Sequence, residues 1–101
     1  MASGSYRNID RTESTAVYGT VSVSTTAIEL KVGASPLTSR DYMIIQPKGN
    51  GIFIGYSSGV TTANGVELFK DQTLSIAVGE GISVWAIASS GTIDVRVQEL
   101  A

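Results

Sequence analysis

The stretch Ile82-Ser83-Val84-Trp85-Ala86-Ile87-Ala88-Ser89-Ser90-Gly91-Thr92-Ile93-Asp94-Val95-Arg96-Val97-Gln98 decides the fold class. Ile82, Val84, Ala86 and Ala88 recur at every second position. So do Ile93, Val95 and Val97, with Asp94, Arg96 and Gln98 between them. A period of two places alternate side chains on opposite faces of a strand, whereas a helical stripe needs spacings of three and four. Ser89-Ser90-Gly91 supplies a turn between two strands. Trp85 and Ile87 make the second face of the earlier strand apolar as well. Such a strand lies between two layers or has its outer face half-covered by a partner.

The same period extends outward from this stretch. Val17, Tyr18, Val21 and Val23 begin a first strand. Residues 26–32 continue it, with Ile28, Leu30 and Val32 on one face and Glu29 and Lys31 on the other. Pro36, which has no backbone donor, belongs in a loop or at an edge. Residues 42–46 and 52–56 read as strands joined in a hairpin by Pro47-Lys48-Gly49-Asn50-Gly51, where Gly49, Asn50 and Gly51 all tolerate positive φ. Val66 to Phe69 is a short apolar element, and Leu74, Ile76 and Val78 alternate before the tight turn Gly79-Glu80-Gly81. No window of twelve residues carries an uninterrupted helical stripe. The ten Val, ten Ile and ten Thr agree, because β-branched side chains suit a pleated surface. The expectation is an all-β protein: an antiparallel β-sandwich or small barrel of about seven or eight short strands.

Residues 1–15 read as an extended N-terminal arm, and 16–101 as a single β domain. The arm is polar, with Tyr6 and Ile9 as its sizeable apolar anchors beyond Met1 and with Arg7 and Arg11 four residues apart. Such a segment is ordered when a partner ties it down. The two arginines are suited equally to clamping acidic groups on a neighbouring chain and to standing in solvent.

Composition removes most chemistries. The chain has no cysteine, so disulfides, thiolate metal sites and cysteine nucleophiles are excluded. It has no histidine, which removes the commonest general base, the usual zinc ligand and the Ser-His-Asp triad. A net charge of −2 speaks against a nucleic-acid partner. No apolar run approaches the roughly 20 residues of a membrane-spanning helix, and Met1-Ala2-Ser3-Gly4-Ser5 lacks the basic and apolar regions of a signal peptide. No enzymatic activity, cofactor or metal is expected.

The remaining candidates for chemistry each have a plainer explanation. Glu67 and Asp71, four apart, and Glu80 between two glycines, offer carboxylates of the kind that hydrolyse glycosides, but their setting is that of solvated turns. Gly49-Asn50-Gly51 and the glycines at 55 and 59 are not followed by Gly-Lys-Ser/Thr or by a helix, so they are not a phosphate loop. Trp85 with Tyr18, Tyr42 and Tyr56 suits a sugar-stacking platform, or else core and subunit interface.

Residues 52–72 carry a resemblance. Ile52-Phe53-Ile54-Gly55-Tyr56-Ser57-Ser58-Gly59-Val60-Thr61-Thr62, then Asn64-Gly65 and Leu68-Phe69-Lys70-Asp71-Gln72, resembles small virion structural proteins of tailed bacteriophages. Upstream, Leu37, Arg40 and residues 44–46 match, and downstream Gly79-Glu80-Gly81, residues 84–88, Gly91 and residues 94–99 do so too. The resemblance implies a β-sandwich, an oligomer and a place on the particle, within a virion assembled in the host cytoplasm. The leading expectation is a capsid decoration (cement) or minor capsid protein that binds the outside of the head and bridges major capsid protein subunits. The alternative is a neck, collar or tail component that forms a ring at the head–tail axis, and a further one is a carbohydrate-binding module in host recognition. A homotrimer is implied by analogy. The residues expected to make contacts are Tyr6, Arg7, Ile9 and Arg11 in the arm, and Trp85 and Ile87 at a self-interface.

Overall fold

A computed structural model describes residues 14–101. Eight strands follow in chain order: β1 (Ala16–Val23), β2 (Ile28–Glu29), β3 (Tyr42–Pro47), β4 (Ile52–Gly55), β5 (Val66–Leu68), β6 (Leu74–Ile76), β7 (Trp85–Ala88) and β8 (Ile93–Leu100). They form two four-stranded sheets, β1-β8-β3-β6 and β2-β7-β4-β5, and every pairing is antiparallel. The architecture is sandwich-like, and among the described residues neither sheet closes on itself.

The alternation read from the sequence is the alternation of burial. Along β8, Ile93, Val95, Val97 and Glu99 are buried while Asp94, Arg96 and Gln98 are exposed. In β3, Met43, Ile45 and Pro47 face inward. From the opposite sheet Ile52, Ile54, Leu68, Ala86 and Ala88 meet them, with Val23, Leu30, Val78 and Val84 completing the core. The first and last strands pair along their full length, from Ala16 opposite Leu100 to Val23 opposite Ile93. Ser14 and Thr15 extend that closure, since both amides donate to the Ala101 carbonyl.

Three expectations need correction. Strands β3 and β4 are not a hairpin: β3 lies between β8 and β6, and β4 lies in the other sheet between β7 and β5. The 48–51 turn therefore carries the chain from one layer to the other. Glycine is needed there for close approach and not for a left-handed backbone. A Cβ on Gly51 would sit 2.8 Å from the Leu68 carbonyl oxygen, and one on Gly49 would sit 3.3 Å from Ile93 Cδ1. In the Ser89-Ser90-Gly91 turn the conformational reason does hold, because Gly91 has φ +65°. Finally, residues 26–32 form only the two-residue β2, whose partner is β7.

Candidate functional site

The outer face of the second sheet is built around the apolar side of β7. Trp85 stands between Glu29 of β2 and Gly55 of β4, and Ile87 stands opposite Phe53, which in turn faces Glu67 of β5. The register thus sets an apolar centre of Trp85, Ile87 and Phe53 between two carboxylates at the sheet's edges. Both Trp85 and Ile87 are half-buried within the single chain. The indole N–H donates to Ser83 Oγ at 3.0 Å, so the ring is held by the connection that leads into its strand. Glu29 is held too, by Lys31 Nζ at 3.3 Å.

Part of this face is covered by the chain itself. The loop between β4 and β5 folds back so that Val60, 6% exposed, sits over Gly55. A Cβ on Gly55 would lie 2.9 Å from Val60 Cβ, and one on Gly65 would lie 2.8 Å from Phe53 Cβ. The two glycines are the socket and Val60 is the plug. Asn64 holds the plug in place: its Oδ1 accepts from the Thr61 amide at 2.7 Å, and its own amide donates to Thr61 Oγ1 at 3.2 Å. A shallow hollow of about 210 Å³ lies beside the plug, lined by Gly55, Tyr56, Ser57, Gly59, Val60 and Asn64.

The other aromatics do not join Trp85. Tyr18 and Tyr42 stand on the outward side of the first sheet, on the opposite face of the molecule. Tyr18 is 80% exposed and borders a hollow of about 440 Å³ with Thr20, Gln46, Arg96 and Gln98. Tyr56 follows β4 and lines an apolar groove of about 260 Å³ at the β5/β6 edge. The candidate carboxylates also go separate ways. Asp71, in the left-handed region at φ 62°, pairs with Lys48 at 2.8 Å, and that hydrogen bond holds its carboxyl below its ordinary value of 3.8. Glu80 Oε1 accepts from the Ser39 amide at 2.6 Å. Among the described residues no three carboxylates gather as a metal site would require. Tyr6, Arg7, Ile9 and Arg11 lie outside the described residues.

One polar cluster went unread as a pair in the sequence. Arg40 and Glu99 form an ion pair at 2.8 Å with both side chains wholly buried. Glu99 also accepts from the amides of Val32 at 3.0 Å and Leu37 at 3.3 Å. Arg40 Nη2 donates to the carbonyls of Gly79 at 3.0 Å and Ile82 at 2.6 Å. Among the described residues its Nε has no hydrogen-bond partner. The cluster binds the 30–41 connection, the β6–β7 connection and β8 into one end of the sandwich. Every contact it makes is internal, so its chemistry is structural: a buried charge held by an opposite charge and by backbone groups that need partners. The signal for Glu99 was its position in phase with Ile93, Val95 and Val97.

Compared with known proteins, the chain matches no protein-family model, and no curated protein matches it.

Proposed function

We propose that this chain is a non-enzymatic structural module that works by docking, and specifically a decoration protein on the outside of a phage head that bridges major capsid protein subunits. The observation that carries the proposal is the outer face of the second sheet. Its centre is apolar at Trp85, Ile87 and Phe53, and its edges are charged at Glu29 and Glu67. An apolar centre with a polar rim is the anatomy of a protein–protein contact. The plugged loop beside it is tied by its own hydrogen bonds, so little ordering entropy is lost on docking there. Many symmetry-related copies then multiply a modest contact into a strong effect on a lattice. Binding to the assembled shell and not to its dissociated subunits stabilises the shell. In this reading Trp85 and Ile87 meet another copy of the chain around a three-fold axis, and Tyr6, Arg7, Ile9 and Arg11 reach the major capsid protein. Quantitative mass spectrometry of purified particles tests it. A ratio to the capsid subunit of one, or a simple fraction, supports decoration. A dozen or so copies per particle moves the protein to the neck or tail, and absence from the particle refutes both placements.

A second reading has its own observation. Exposed Tyr18, beside Thr20, Gln46, Arg96 and Gln98 around a hollow of about 440 Å³, presents an aromatic face among hydrogen-bonding groups. That combination suits stacking on a sugar ring. Retardation in gels containing host polysaccharide, abolished by Tyr18→Ala, supports it. Unchanged mobility of the wild-type protein refutes it.

A further inference from the structure

Each sheet of a sandwich ends in two edge strands, and an edge is a row of backbone donors and acceptors that another chain can join. Among the described residues, three of the four edges are blunted. β2 has two residues and carries Glu29, β5 has three and carries Glu67, and β6 has three. The fourth, β1, has eight residues, Ala16 to Val23, paired on one side with β8. Among the described residues no backbone hydrogen bond is made from its other side. The usual protections are missing from it. Residues 14–28 contain neither a charge nor a proline. At the same edge the inward-facing Val17 and Val21 stay half-buried, and Ile28, beside buried Ala86, is 39% exposed.

We propose that β1 pairs with β1 of a second copy, antiparallel across a two-fold axis, to make a continuous eight-stranded sheet. The occupant follows from the strand's own pattern. In an antiparallel pair, directly opposed residues point to the same face. Two copies of β1 therefore keep valines inward only if the axis passes through a residue and not between two. An axis at Thr20 overlaps the whole strand. It sets Thr20 against Thr20, Tyr18 against Ser22, Gly19 against Val21 and Val17 against Val23. Every inward residue then meets an inward residue. No like charges are brought together, which a charged strand paired with its own copy could not avoid. The two copies' Val17, Val21 and Ile28 cover one another at the joint. This contact rests on β1 alone and does not depend on the virion reading.

The absence of cysteine makes the test clean. In the full chain, Thr20→Cys under mild oxidation forms a covalent dimer, while Ser75→Cys, exposed in the middle of β6, does not. Sedimentation of the wild-type protein shows a mass rising with concentration to an even multiple of the monomer. Thr20→Lys, a change on the exposed outward face, leaves the circular dichroism spectrum unchanged and abolishes that rise. A wild-type protein that stays monomeric at millimolar concentration overturns the proposal. So does a purely three-fold assembly with Thr20→Cys unlinked, or a Thr20→Lys protein that still doubles in mass. Slow hydrogen exchange at monomer mass of the β1 amides that point away from β8, those of Tyr18, Thr20 and Ser22, assigns the edge to residues 1–13 of the same chain and overturns it as well.

Discussion

Glu99→Gln is the sharpest perturbation of this fold. The substitution keeps the shape of the side chain and removes its charge. The carboxylate it replaces accepts three hydrogen bonds, from Arg40 Nη1, the Val32 amide and the Leu37 amide. A carboxamide has one oxygen to accept with, and its NH₂ must face a donor. The Arg40 charge, with no solvent exposure of its side chain, loses its only ion-pair partner among the described residues. Breaking a buried pair from one side costs about 3–5 kcal/mol. Domains of this size have a total stability of roughly 5–15 kcal/mol. At about 4–8 °C per kcal/mol, the melting temperature falls by at least about 12 °C. Urea unfolding followed by the fluorescence of Trp85, the single tryptophan, gives the free-energy difference at a fixed protein concentration. Arg40→Met with Glu99→Leu separates charge from packing. The double variant loses less than the sum of the two single variants by about 2 kcal/mol or more, because neither charge is stranded. It remains less stable than wild type, since the Val32 and Leu37 amides have lost their acceptor. A loss under about 1 kcal/mol for Glu99→Gln, or additive single effects, refutes the reasoning, because the pair would then be hydrated and not buried.

Three further outcomes follow from other parts of the molecule. Gly55→Val evicts Val60 from its socket, which costs about 1–3 kcal/mol and raises proteolytic cleavage within 57–65; an unchanged urea midpoint refutes the plug. Asp71 titrates below its ordinary value of 3.8 because of Lys48, so its contribution to stability is present above the unfolded value and disappears as pH falls through the folded one. Asp71→Asn is therefore less stable than wild type from pH 5 to 7, and the difference vanishes in more acid solution; a constant difference in pH-resolved urea titrations contradicts the pairing. Trp85→Ala weakens self-association measured by sedimentation while leaving the strand content intact, and an unaltered assembly removes Trp85 from the interface.

The local parts of this reading were legible because alternation is a local property. The face of β8 that holds Ile93, Val95 and Val97 can be read from five residues, and so can the two-sided apolarity of β7. Partner choice was not legible. Residues 42–46 and 52–56 look like a hairpin, since a glycine-rich turn joins two alternating strands. Yet the same turn serves to cross between layers when β8 and β7 are better neighbours. Glu99 lay visibly in the apolar phase, but its countercharge is 59 residues away at Arg40. The Gly55–Val60 socket was visible only as two residue types near each other, because steric fit needs coordinates.

By itself the sequence determined that the chain folds into an all-β domain without histidine or cysteine, with strands near the positions their alternation marks and turns at its glycine clusters. These follow from backbone and side-chain preferences that act over a few residues. The tertiary structure alone decided which strands share a sheet, which inward carboxylate meets which guanidinium, and which of the four edges among the described residues is long and uncharged. Those outcomes depend on contacts between residues tens of positions apart. They are set by how two twisted layers pack, and no local pattern contains that geometry.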